Sequence, residues 1–181
     1  MQVPQGSRDM ADSLVFTIIG ADRPGLVGQI ARTVNEHEAN WLGSRMGQLS
    51  GMFAGMIQVE GDTAQLGRLK TALESLPDLT VVVEAGADEP AAKSDAQKTI
   101  TMLGLDRPGI VREVSAALVL QNLNVLELET GVSQAAMTGR PMFHGRAVVE
   151  APQGQDWAKL AEDLERISFS LGVDIELVEE E

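Results

Sequence analysis

The sequence predicts an α+β protein made of two copies of one small domain, each with the element order βαββαβ. Residues 20–25 (GADRPG) recur as residues 104–109 (GLDRPG), with five of the six positions identical. Both copies alternate short β-branched runs with stretches of helical periodicity. The spacing between matched residues grows from 84 at Gly20 to 94 at Leu66, and it grows only where loops are expected. These three observations indicate a tandem repeat.

The first copy begins with a strand and a helix. Residues 14–19 form a β-branched, apolar run that Gly20 ends, which predicts a buried strand. Pro24 is expected at the first helical position, with Asp22 capping the helix. The apolar face of this helix repeats at helical spacing: Leu26, Ile30 and Val34.

A hairpin, a second helix and a last strand complete the first copy. Residues 40–49 and 52–60 are predicted to be two strands that flank a turn. The second helix ends before Pro77, and residues 79–83 form the last strand. Its apolar face consists of Leu66, Leu69, Leu73 and Leu76.

The second copy follows the same order. Its strands are predicted at residues 99–103, 124–134, 143–150 and 173–178, and its helices have apolar faces at Ile110, Val114 and Leu118, then at Trp157, Leu160, Leu164 and Ile167. The expected organisation is a polar tail (1–12), a first domain (13–85), a linker (86–97), a second domain (98–178) and an acidic tail (179–181). The order βαββαβ indicates a ferredoxin-like sandwich, with two helices over one face of a four-stranded antiparallel sheet.

Composition excludes several classes of function. The 181 residues include 27 acidic and 14 basic side chains, so the net charge of −13 opposes direct binding to nucleic acid. The chain has neither an apolar run of about 18 residues nor a signal-peptide core, which predicts a cytoplasmic protein without a membrane segment. It has no Cys and only two His, so thiolate metal sites and thiol catalysis are excluded.

The repeated loop is the candidate binding site. A strand that ends in Gly, followed by a helix start, directs backbone N–H groups outward at the positive end of the helix dipole, where a small carboxylate can bind. Gly25 and Gly109 would allow a ligand to approach the backbone. Helix capping alone explains the same residues without any ligand, and both interpretations stay open.

Polar side chains near the loops are further candidates. Asn40 and Asn124 open the second strand of each copy, where a side-chain amide could bind an amino acid, although either could be an ordinary turn residue. Arg23 and Arg107 could pair with an anion or with a neighbouring carboxylate.

No catalytic, metal or cofactor site is predicted. Residues 20–25 have the glycine spacing of a phosphate-binding loop, but Leu and Val follow where Lys and Ser or Thr are needed. Ser44 is one place too early for a nucleophile elbow. His37 is expected at a helix end and His144 on a strand face. An exposed sheet face is the favoured explanation for the pair Glu127 and Glu129.

The loop motif resembles that of a known family. A short strand, then G-x-D-R-P-G-[IL]-V, an amphipathic helix and an Asn at the next strand are similar to the ACT domain, a small-molecule-sensing module. Two such copies, together with residues 138–143 (TGRPMF), resemble the glycine cleavage system transcriptional repressor family, and the resemblance spans residues 13–178.

The resemblance implies a regulator without enzymatic activity. Such a protein binds a small amino acid, glycine in the best-known case, at domain interfaces, and it acts on a partner such as a transcriptional activator without contacting DNA. The ligand-facing residues that the resemblance implies are Asp22, Arg23, Pro24, Gly25, Leu26 and Asn40, then Asp106, Arg107, Pro108, Gly109, Ile110 and Asn124. The alternatives are an ACT adaptor that binds no ligand and a detached regulatory subunit of an amino-acid pathway enzyme. The chain could also form a homodimer.

Overall fold

The computed structural model describes residues 12–85, 96–136, 138–152 and 154–179. The chain divides into two compact units, the first made of residues up to 90 and the second of residues from 91. No helix in these described ranges is long and apolar enough to cross a membrane.

Each unit has the predicted order of elements. The first unit consists of β1 (Asp12–Ala21), α1 (Leu26–Glu36), β2 (Asn40–Leu49), β3 (Met52–Gly61), α2 (Thr63–Glu74) and β4 (Leu79–Ala85). The second consists of β5 (Ala96–Leu105), α3 (Ile110–Leu120), β6 (Asn124–Gln134), β7 (Pro141–Ala151), α4 (Trp157–Leu171) and β8 (Val173–Glu179). The two antiparallel sheets have the matching orders β2-β3-β1-β4 and β6-β7-β5-β8. The predicted α+β class and ferredoxin-like topology are confirmed.

The core of the first unit lies between its sheet and its helices. Burial alternates along β1, where Phe16 and Ile18 are buried and Thr17 is exposed, because successive side chains of a strand point to opposite faces. The buried residues that pack together are Phe16, Ile18, Leu26, Ile30, Val34, Ile57, Val59, Leu66, Leu69, Leu73 and Val83. The predicted helix faces are therefore the faces that bury.

The second unit has a core of its own. It joins Ile100 and Met102 of β5 to Val114 of α3 and Leu160 of α4. Trp157 packs against this core, and the Lys98 ammonium lies 5.2 Å from the centre of its ring, a cation–π geometry.

Several boundaries differ from the predicted ones. The strand β5 begins at Ala96 rather than at residue 99, because its pairing with β7 extends to Ala151. Two residues assigned to the linker are thus in a strand, and residues 86–95 lie outside the described ranges, as do 1–11 and 180–181 of the two tails. A capping box at the start of α2, formed by Asp62 and Gln65, was not predicted.

Candidate functional site

Two loops occupy equivalent places in the two units. Loop 1 (residues 22–25) follows β1, and loop 2 (residues 106–109) follows β5. The Asp22 N–H donates to the carbonyl oxygen of Gly51 at 2.9 Å, and the Asp106 N–H donates to that of Pro141 at 3.0 Å. Each loop is therefore fixed to the far end of the neighbouring hairpin by the same backbone hydrogen bond.

The predicted cap of the first helix is wrong. Helix α1 begins at Leu26, and the residue before it, Gly25, has the left-handed φ of 86°. No side chain caps this end, so Asp22 does not act as a cap, and Pro24 lies in a turn rather than in the helix. The left-handed glycine turns the chain into the helix, which leaves Asp22 three residues too early to reach the helical N–H groups. Helix α3 begins in the same way, with Gly109 at φ 106°.

Both helices leave backbone donors open at their first turn. The Leu26 N–H donates to the Arg23 carbonyl oxygen over a long distance of 3.4 Å. The regular helical hydrogen bonds of α1 begin at Gln29, whose N–H donates to the Gly25 carbonyl oxygen at 2.9 Å. Among the described residues, the N–H groups of Val27 and Gly28 make no hydrogen bond. The same is true of Val111 and Arg112 at the start of α3. These donors lie at the positive end of each helix dipole, where a carboxylate is stabilised.

The space around loop 1 is open. A Cβ atom placed on Gly25 or Gly28 would have no atom within 4 Å. In contrast, a Cβ on Gly20 would lie 2.7 Å from the Asp78 carbonyl oxygen, and one on Gly104 would lie 2.8 Å from the Val173 Cα. The glycines that end β1 and β5 therefore allow close strand packing, whereas Gly25 leaves the loop accessible.

The two candidate arginines have different partners. Arg23 Nη2 donates to Gln29 Oε1 at 2.6 Å, so its side chain lies along its own helix. Arg107 Nη2 donates to the Ser170 carbonyl oxygen at 3.4 Å, near the C-terminal end of α4. Arg23, Pro24, Arg107 and Pro108 are exposed, while Leu26 and Ile110 are buried in their cores. Sequence reasoning missed Gln29 and Ser170, because neither contact follows from a local pattern.

Neither candidate asparagine lies near the loop of its own unit. Asn40 pairs with Glu60 across the β2–β3 ladder, and its Nδ2 donates to Glu60 Oε1 at 2.9 Å. Gly20, by contrast, is level with Gln48, because both pair with the same residue of β3. Eight residues at about 3.3 Å each separate Asn40 from that level, roughly 25 Å along the strand.

The second unit repeats this separation. Asn124 is level with Glu150, whereas Gly104 is level with Val132, eight residues along β6. A single unit therefore does not bring its loop and its asparagine together.

The remaining polar candidates have structural partners. His37 caps the end of α1, with its ring Nδ1 donating to the Thr33 carbonyl oxygen at 2.8 Å. His144 lies on a strand with its ring over Gly131, where a Cβ would be 2.5 Å from Nε2. Glu127 forms an ion pair with Arg146 at 3.5 Å on the exposed face of β6 and β7. In the described part of the chain, no group of His, Asp and Glu side chains is arranged to hold a metal ion.

Comparison with known proteins shows what this geometry is similar to. Residues 12–84 match the family model of the ACT domain, and the second unit has the same sheet order as the first. The whole chain matches the structure of an unknown protein from Galdieria sulphuraria, with 28% identity, a TM-score of 0.85 and coverage of 94% of this chain and 99% of that one. The chain is a tandem of two units with one fold, and the first unit is similar to the ACT domain.

Other comparisons extend over the same two units. A crystal structure of a protein provisionally named a glycine cleavage system transcriptional repressor has the same fold, with a TM-score of 0.71, 18% identity and coverage of 94% and 99%. The glycine cleavage system transcriptional repressors of Escherichia coli (strain K12) and of Shigella flexneri are each 23% identical to this chain over 161 residues, covering 87% of it and 85% of the relative.

Proposed function

We propose that this chain is a non-enzymatic, cytoplasmic regulatory protein that senses a small amino acid and changes its contact with a partner protein. The observation that carries the proposal is the duplicated helix start. Each ACT domain has a left-handed glycine followed by backbone N–H groups without a hydrogen-bond acceptor among the described residues. An amino-acid carboxylate is the small anion that such donors bind well.

The separation of loop and asparagine favours binding at an interface between ACT domains. A ligand of amino-acid size is far shorter than the roughly 25 Å between Asn40 and loop 1. Only a loop from one ACT domain and an asparagine from another can contact the same molecule. The loop N–H groups would bind the carboxylate, and the asparagine carbonyl oxygen would accept from the ammonium group.

We expect glycine to be the ligand and a transcriptional activator to be the partner. The Escherichia coli relative is named for repression of the glycine cleavage system. The net charge of −13 supports action through a protein rather than through direct contact with DNA.

Thermal unfolding with a panel of single amino acids tests the sensing step. A ligand that binds only the folded state stabilises it by about 2.7 kcal/mol at a hundredfold excess over its Kd. We expect glycine to raise the melting temperature. The Asn40→Ala variant should lose much of this shift, whereas Gln48→Ala, an exposed substitution on the same strand, should keep it. Flat curves with every amino acid would contradict sensing and favour the ligand-free adaptor.

The partner step needs a separate measurement. We expect the affinity of the chain for a captured transcriptional regulator to differ with and without the amino acid, by a coupling of about 1 to 3 kcal/mol. Equal affinities would remove the switch. Co-purification with a catalytic chain of amino-acid metabolism would instead favour the detached regulatory subunit.

A further inference from the structure

We draw no further inference here: the strongest candidate, the hollow beside Gly43, Arg45 and Met56 on the face of the first unit's sheet that points away from its helices, is an open sheet surface, and nothing in the described part of the chain shows what covers it.

Discussion

Gly25 and Gly28 are three residues apart, and a Cβ on either would have no atom within 4 Å beyond its own stretch of chain, but their backbones differ. Gly25 has a φ of 86°, in a region that an L-residue enters at a cost of about 1 to 2 kcal/mol. Gly28 lies in the first turn of α1 with helical geometry, where Ala is better than Gly by up to about 1 kcal/mol. The same substitution therefore has opposite effects at the two positions.

We expect Gly25→Ala to lower the free energy of unfolding by about 1 kcal/mol and Gly28→Ala to raise it by a few tenths to about 1 kcal/mol. Neither change introduces a collision, so backbone conformation alone explains the difference in sign. Urea unfolding of the two variants beside the unmodified chain measures both values. Destabilisation by Gly28→Ala, or none by Gly25→Ala, would contradict the role assigned to the left-handed glycine.

The helices differ in how they begin. Helices α1 and α3 start at a left-handed glycine without a side-chain cap. In α4, Asp156 Oδ1 accepts the Lys159 N–H at 3.1 Å, which satisfies one of the donors at the helix start. The glycine starts have no such side-chain acceptor for the N–H groups of their first turn.

Replacing this cap has a defined cost. We expect Asp156→Ala to lower the free energy of unfolding of the second domain by about 1 kcal/mol, because the Lys159 N–H loses its acceptor. Asp156→Asn keeps an acceptor oxygen in place and should cost only a few tenths of a kcal/mol. Chemical denaturation of both variants is the measurement, and equal losses would mean that charge rather than the hydrogen bond stabilises this end.

Much of the fold could be predicted from apolar spacing. Leu26, Ile30 and Val34 are buried, as their spacing predicted. Residues three or four positions apart lie on the same face of a helix, so the face that packs against the core is visible in the sequence. The relation between Asn40 and loop 1 could not be found in this way. It depends on sheet order and strand direction, which bring Asn40 level with the end of β3 rather than with the loop.

At the scale of the whole molecule, each of the two units contains a hydrophobic core of its own. Every buried residue of one core belongs to the first domain, and every buried residue of the other belongs to the second. The chain has two Trp residues, and Trp41 packs against the first core while Trp157 packs against the second. Each domain therefore has its own fluorescent reporter of unfolding.

Because the cores are separate, we expect a substitution in one core to shift mainly the unfolding transition that the Trp of the same domain reports. Leu160 is fully buried in the second core, so Leu160→Ala should cost about 2 to 5 kcal/mol there through lost burial and the cavity left behind. In a Trp41→Phe background, where only Trp157 emits, we expect Leu160→Ala to lower the urea midpoint strongly. In a Trp157→Phe background, Trp41 should report a much smaller change.

Leu69 is fully buried in the first core, so Leu69→Ala should give the reverse pattern. Equal shifts of both reporters would mean that the two domains unfold as one cooperative unit, because separate transitions require that each core be stable without the other.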